Sequence, residues 1–110
     1  MSVKAEIEFK EIMEKAGWKV IKIYGDTSLS SQNYSYADHN FIEAIKIFFG
    51  HIGLPDFLLI KGDSIGFVEV KYEGNLTQQQ EKKLQMLQSF LSVWCYVAHK
   101  SNNEITLKEL

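Results

Sequence analysis

With 110 residues the chain can form one domain, a sheet packed against helices, but not two separate hydrophobic cores. An apolar fraction of 45% and a charged fraction of 24% are ordinary for a soluble globular protein, and no apolar run approaches the length of a membrane span. All 12 basic residues are lysines, which disfavours a sequence-specific DNA reader because such readers rely on bidentate guanidinium contacts. The charged N-terminal residues exclude a signal-peptide core, so we expect a cytoplasmic, or at least intracellular, protein whose origin, viral or prokaryotic, is open.

The N-terminal segment, residues 2–16, predicts a helix. Ser2 is the expected N-cap and Gly17 the expected stop. Apolar residues at near-helical spacing form the predicted buried stripe: Val3, Ile7, Ile12 and Met13, with Phe9 and Ala16 beside them. On the pattern alone Glu6 and Glu8 are interpreted as solvent-facing helix charges, although Glu6 is close enough to the stripe to border the core.

Residues 18–50 predict a strand, a loop and a second helix. The β-branched and aromatic residues of 18–24 predict the strand. Residues 25–40 are rich in Ser, Asn, Asp and Tyr and are interpreted as a long loop, a kind of segment that is commonly functional or disordered in compact domains. Residues 41–49 have helical apolar spacing, and Gly50 ends that helix.

Two apolar runs, 53–60 and 67–71, flank a Gly-Asp-Ser turn and predict an antiparallel hairpin. Asp56 stands at the start of its first strand, and Glu69 and Lys71 near the end of the second. Because side chains alternate between the two faces of a strand, Glu69 and Lys71 share a face. Two acids and a base on adjacent strands make the hairpin a candidate metal site.

The C-terminal part predicts a helix followed by a strand. Thr77 is the expected N-cap, and Gln80 at the third helical position completes a capping box. Four residues form the apolar stripe of this helix: Leu84, Leu87, Phe90 and Leu91. The nearly all-apolar run 93–98 predicts a strand in the interior of the sheet, with Cys95 as a buried thiol. A turn at Asn102-Asn103 precedes a short last element of unassigned type.

The order of predicted elements is α-β-(loop, α)-β-β-α-β, without an internal repeat. It predicts one α/β domain over residues 1–110, a mixed β-sheet flanked by helices, with residues 25–50 as a variable insertion of loop and helix.

The hairpin residues have the chemistry that phosphodiester hydrolysis requires. Mg²⁺ prefers oxygen ligands, usually one or two carboxylates, and keeps several waters, so Asp56 and Glu69 would supply both carboxylates. The Val70 backbone carbonyl is a further potential ligand. Lys71, held beside a metal-bound water, would stabilise or help to generate the hydroxide.

Several stretches resemble known nucleases. Pro55-Asp56 followed by Glu69-Val70-Lys71 resembles the signature of the PD-(D/E)-x-K nuclease superfamily, an aspartate, a spacer and an acid-x-lysine on the next strand. Two stretches resemble the VRR-NUC branch of this superfamily. The first is Gly53-Leu54-Pro55-Asp56-Phe57, and the second is the later run with Gly74, Leu76-Thr77 and Gln80. Ala5-Glu6-Ile7-Glu8-Phe9 leading to Gly17-Trp18 is similar to the N-terminal helix of archaeal Holliday-junction resolvases, which carries a catalytic glutamate.

The resemblance implies a restriction-endonuclease-like core of order α-β-β-β-α-β. It also implies a Mg²⁺-dependent endodeoxyribonuclease, with Mn²⁺ as a substitute, that acts in DNA repair or recombination. Its partner would be DNA, branched as in a Holliday junction or a flap, and the enzyme would be a homodimer with no membrane association. By position the implied site residues are Asp56 and Glu69 for metal, Lys71 for catalysis, Gln80 beside the site, and Glu6, with Glu8 as its alternate, in the metal or water network.

One alternative function stays open: a non-catalytic nucleic-acid-binding or assembly module that retains the nuclease fold. It predicts binding without metal dependence and without product. The three histidines, His39, His51 and His99, form no ligand cluster, so a zinc site is not expected. Lys82-Lys83 are interpreted equally well as a contact to a DNA backbone or as a solvated helix face.

Overall fold

A computed structural model describes residues 3–25, 27–72, 74–101 and 104–109. Within them lie three α-helices, a short 3₁₀ turn at Thr27–Leu29 and one sheet. The elements in chain order are α1 (Val3–Lys15), β1 (Lys19–Lys22), α2 (Tyr36–Phe49), β2 (Phe57–Lys61), β3 (Ser64–Lys71), α3 (Gln78–Leu91), β4 (Trp94–Ser101) and β5 (Glu104–Glu109). The predicted N-cap Ser2 and the predicted turn at Asn102-Asn103 lie outside the described residues. No helix in the described ranges is long and apolar enough to cross a membrane.

The five strands follow one another in the sheet in the order β1-β2-β3-β4-β5. The predicted hairpin is confirmed, because β2 and β3 pair antiparallel from Phe57↔Val68 to Lys61↔Ser64. β3 and β4 are parallel, with α3 as the crossover, while β1 and β5 add antiparallel neighbours at the two sides. The predicted mixed sheet is therefore present, and the last element, unassigned from sequence, is its fifth strand.

Helices cover both faces of the sheet and give two hydrophobic clusters. α1 packs on one face, where Phe9 and Met13 meet Phe57 and Val68. α2 and α3 pack on the other face through a larger set that alternates with the first along each strand: Ile42, Ile45, Leu84 and Leu87 against Ile21, Leu58, Phe67 and Cys95. Cys95 is fully buried, as expected, and burial raises the pKa of its thiol to about 11.

The second helix is longer than its sequence predicted. It begins at Tyr36 rather than Phe41, so the predicted loop over 25–40 is wrong at its C-terminal end. Ser35 caps the helix: its hydroxyl accepts from the Asp38 amide at 3.1 Å, and Asp38 accepts from the Ser35 amide at 2.9 Å. Lys19 also donates to Asp38 at 3.0 Å, which ties this first turn to β1. The capping box was missed because its first turn is polar and Tyr36 points to solvent.

Two predicted helix stripes need correction. In α1 the buried positions are Ala5, Phe9 and Met13, one on each successive turn, whereas Ile7 and Ile12 are 41% and 49% exposed. In α3 Leu84 and Leu87 are buried as predicted, but Phe90 is 74% exposed. Both helices carry more apolar residues than the sheet can cover. The stripes predicted from residue spacing therefore included some side chains that face solvent.

Candidate active site

Asp56 is held at the end of the sheet where β2 begins. Its backbone carbonyl accepts from the Ile23 amide at 3.0 Å, which extends the pairing with β1 by one residue. Its side chain turns the other way, and Oδ2 accepts from the Val70 amide of β3 at 2.8 Å. The Asp56 side chain thus contacts the β3 backbone beyond the last paired residues of β2 and β3, and it leaves its second oxygen, Oδ1, for other partners.

The loop before Asp56 packs against the start of α3, which explains why glycine stands at position 53. Gly53 has a φ of +80°, and a Cβ there would lie 2.6 Å from the Gln79 carbonyl oxygen. Leu54 and Pro55 are buried behind it. This close approach holds the loop before β2 against the first turn of α3, the turn that carries Gln80.

Glu69, Lys71 and Gln80 are joined on the α3 side of the sheet. Glu69 is 5% exposed, and its Oε2 accepts from Gln80 Nε2 at 3.2 Å. Lys71 Nζ donates to Gln80 Oε1 at 3.3 Å, and the same oxygen accepts from the Thr77 amide at 3.0 Å. Gln80 therefore serves both as the predicted capping-box residue and as the link between the acid and the lysine of β3.

A lysine that the sequence did not single out completes the opposite, α1 side. Lys22 Nζ lies 2.5 Å from Glu6 Oε1 and 3.4 Å from Asp56 Oδ1, and it stands 5.1 Å from the centre of the Phe57 ring. Its side chain is 10% exposed. Lys22 therefore links Glu6 to Asp56, and the part of Glu6 in a metal or water network stays a prediction. The only signal in the sequence was that Lys22 shares a strand face with the apolar Val20.

The electrostatics of the pair Asp56 and Glu69 are unusual. The pKa of Glu69 is raised to about 8, first by burial, and then by the charge of Asp56 and a hydrogen bond between the two carboxyl groups. Lys71 and Lys22 oppose this rise with their positive charges. Ionisation of both carboxyl groups costs free energy, because they lie close together and Glu69 is buried, and additional positive charge would lower that cost.

The donor set offers two carboxyl groups to a divalent cation, whose binding here stays a prediction. Among the described residues no three Asp, Glu, His or Cys side chains form a ready-made cage. Mg²⁺, however, uses one or two carboxylates and keeps several waters. The ammonium of Lys22 already lies 3.4 Å from Asp56 Oδ1, and the carboxyl groups of Asp56 and Glu69 are close enough to share a hydrogen bond. Asp56 and Glu69 are the residues that would hold the ion.

The remaining predicted residues have the following places. Val70 lies beside Asp56 through its amide, and ligation by its carbonyl stays a prediction. Glu8 is half-buried on α1, and its role as alternate to Glu6 stays a prediction. Lys83 donates to the Phe49 carbonyl and, at 3.5 Å, to that of Gly50, so it caps the end of α2. Lys82 is exposed on α3.

Comparison with known proteins identifies the fold. No protein-family model matches the sequence, and no curated protein matches it. Among solved structures, the chain is similar to Hjc, a Holliday junction resolvase from the archaeal hyperthermophile Archaeoglobus fulgidus. The TM-score is 0.63 at 16% identity, over 99% of this chain and 75% of that one.

At this identity the likeness shows the fold alone. It confirms the predicted α/β class, a mixed sheet flanked by helices, with an architecture like that of an archaeal resolvase. The sheet has five strands because the unassigned last element is a strand. The closer assignment to the VRR-NUC branch stays a prediction.

Proposed function

We propose that the protein is a metal-dependent DNA endonuclease that hydrolyses phosphodiester bonds. The observation that carries the proposal is the convergence of Asp56, Glu69 and Lys71 at one end of the hairpin, joined through Gln80 and the Val70 amide. The fold supports it, because the chain is similar in structure to a Holliday junction resolvase. The motif resemblance points to the same chemistry from the sequence side.

Each residue has a distinct role in the proposed reaction. Asp56 and Glu69 would hold a Mg²⁺ or Mn²⁺ ion, with the Val70 carbonyl and Glu6 as further ligands. The chemistry that such an ion would supply is neutralisation of charge on the scissile phosphate and a more acidic water. Lys71 orients the attacking water and stabilises negative charge as it develops on the phosphate. Gln80 is a positioning residue, because it bonds both Glu69 and Lys71 and fixes their separation.

The proposed substrate is branched DNA, such as a Holliday junction or a flap, in DNA recombination or repair. The similarity to a resolvase supports this substrate class. All basic residues being lysine also suits contacts to the DNA backbone, which carry no sequence information, better than base recognition. The enzyme is accordingly proposed to select DNA shape rather than sequence.

A homodimer is part of the proposal, since one domain of this size offers little surface to hold two duplex arms. Exposed apolar side chains on α2 and α3 support an interface there: Ile47, Phe48 and Phe90 are 80%, 82% and 74% exposed. Sedimentation of the wild type should give a dimer, and the Ile47→Ser/Phe48→Ser double variant should sediment as a monomer. A monomeric wild type at micromolar concentration would exclude the dimer.

Cleavage of a panel of labelled DNAs tests the proposed function. The panel contains a four-way junction, a flap, a nicked duplex and a plain duplex, each incubated with Mg²⁺ or with EDTA. Cleavage should require metal and favour a branched form, and Lys71→Met should lose at least about a hundredfold in rate, as expected for a group acting on the reacting phosphate.

Lys61→Met is the matched control, because Lys61 lies at the opposite end of the same hairpin, where its ammonium donates to the Ala16 carbonyl and lies over the Trp18 ring. It should cleave as the wild type does. Binding of DNA without product at any metal concentration would instead support the non-catalytic module. Equal cleavage by Lys71→Met and the wild type would remove Lys71 from the site.

A further inference from the structure

The ammonium of Lys22, on β1, contacts two carboxylates: Glu6 from α1 and Asp56 from the start of β2. Its nitrogen is 2.5 Å from Glu6 and 3.4 Å from Asp56, with the aromatic face of Phe57 beside it. Three negative or electron-rich groups from α1 and β2 thus surround one positive charge. The ammonium of Lys22 therefore occupies a position whose surroundings suit a bound cation.

Burial makes the contact a fixed one. The Lys22 side chain is 10% exposed, and those of Glu6 and Asp56 are 19% and 22% exposed. Pairs so far out of water are weakly screened by salt. They also leave an uncompensated buried charge when one partner is removed. The ammonium therefore stabilises the acid cluster while no other cation is present.

We propose that Lys22 is a resident cation that competes with the metal ion for Asp56 and Glu6. This inference rests on the proposed metal site and goes beyond it, because it assigns metal affinity to a residue outside the nuclease motif. A divalent ion that binds Asp56 Oδ1 must displace the ammonium. The ammonium then exchanges its carboxylate contacts for water, and the ion exchanges water for carboxylate oxygen.

The exchange has two consequences. The free protein binds metal more weakly than a site of bare carboxylates would, since every binding event breaks the contact of Lys22 with Asp56. The fold also stays intact without metal, since the lysine supplies the positive charge. The Lys22 side chain thus lowers the affinity for metal and raises the stability of the metal-free protein.

Mn²⁺ titration of the Lys22→Met variant tests the proposal. Methionine keeps much of the apolar stem of lysine and removes its charge. The dissociation constant for Mn²⁺ should fall by about tenfold or more, a change equivalent to about 1.4 kcal/mol of lost competition. Tryptophan fluorescence in urea gives a second readout: the variant should be less stable than the wild type in EDTA, and saturating Mn²⁺ should remove most of that difference.

Lys19→Met is the matched control. Lys19 lies on the same strand and also forms an ion pair, with Asp38 at 3.0 Å, but on the opposite face of β1. It should lose some stability and leave the dissociation constant for Mn²⁺ unchanged. Unchanged or weaker Mn²⁺ binding by Lys22→Met, with binding still dependent on Asp56, would overturn the role of Lys22 and leave the proposed nuclease site standing.

The wild type provides a test that does not depend on any variant folding. Nuclear magnetic resonance of its lysine ammonium groups should show the Lys22 signal change during a Mg²⁺ titration, with the same midpoint as the Asp56 amide, while the Lys19 signal stays in place. A Lys22 signal that does not respond while Asp56 does would contradict the exchange. Absence of any response at Asp56 or Glu69 would overturn both this inference and the proposed metal site.

Discussion

The substitution Glu69→Gln should stabilise the metal-free protein at alkaline pH. Glutamine has nearly the shape of a protonated glutamate, so it can still accept from Gln80 Nε2 and can donate to Asp56. Below the pH at which Glu69 ionises, the wild type and the variant carry the same charge at this position. Above it, the wild type must hold the buried Glu69 side chain as a carboxylate beside the partly buried Asp56, whereas the variant carries no charge at position 69.

The size of the effect follows from the pKa of Glu69, which burial and the charge of Asp56 raise from 4.5 to about 8. A raised pKa means that the folded protein keeps a proton which the unfolded chain releases. The associated stability is complete below about pH 4.5 and is lost as the pH rises through about 8. Each tenfold change in proton affinity is worth about 1.4 kcal/mol, so the loss is bounded by about 5 kcal/mol. Relaxation of the site reduces it, and we expect about 2 kcal/mol.

Urea denaturation in EDTA at pH 5 and pH 9 measures this difference. The free energies of unfolding of the wild type and Glu69→Gln should be nearly equal at pH 5, and the variant should be more stable by about 2 kcal/mol at pH 9. Because the wild type and the variant are compared at the same pH, the contributions of the other titrating groups to the free energy of unfolding cancel. A variant that is less stable than the wild type at pH 9 would refute the interpretation that folding raises the pKa of Glu69. A stability difference that is the same at both pH values would refute it as well.

Three further changes test the local structure by urea denaturation. Ser92→Gly should stabilise the protein by about 0.5–1 kcal/mol, because Ser92 ends α3 at a φ of +54°, and no gain would argue against that strained cap. Gly53→Ala should cost at least about 2 kcal/mol, since its Cβ would lie 2.6 Å from the Gln79 carbonyl oxygen; a neutral result would contradict the close packing of loop and helix. Ser35→Ala should cost about 1 kcal/mol by removing the cap of α2, whereas an unaffected protein would place the helix start elsewhere.

The hairpin could be predicted because its information is local. Two apolar runs around a turn specify the pairing, and the alternation of a strand then places Glu69 and Lys71 on one face. The capping box that starts α3 was predicted as well, but the place of Gln80 beside the acids was implied by the family resemblance alone, because it depends on how the Gly53 loop packs against α3. Short-range rules therefore account for the two acids and the lysine, and not for the glutamine.

Lys22 could not be found in this way. Its position depends on how α1 lies across β1, a contact between residues far apart in the sequence, and a lysine in a short strand is normally interpreted as solvent-facing. The start of α2 was missed for a different reason. It is set by the local capping box of Ser35 and Asp38, and the polar first turn that follows has no apolar spacing to reveal a helix.

The most direct test of the proposed active site is the rate of Mg²⁺-dependent cleavage of a four-way junction by Glu69→Gln compared with the wild type. Without metal, the variant is expected to be at least as stable as the wild type at the pH of the assay, so it stays folded and unfolding cannot account for a loss of activity. We expect metal-dependent cleavage by the wild type and a rate at least about a thousandfold lower for the variant, which lacks a carboxylate for the ion. Cleavage by a folded Glu69→Gln at the rate of the wild type would contradict the assignment of this hairpin as the metal-dependent active site.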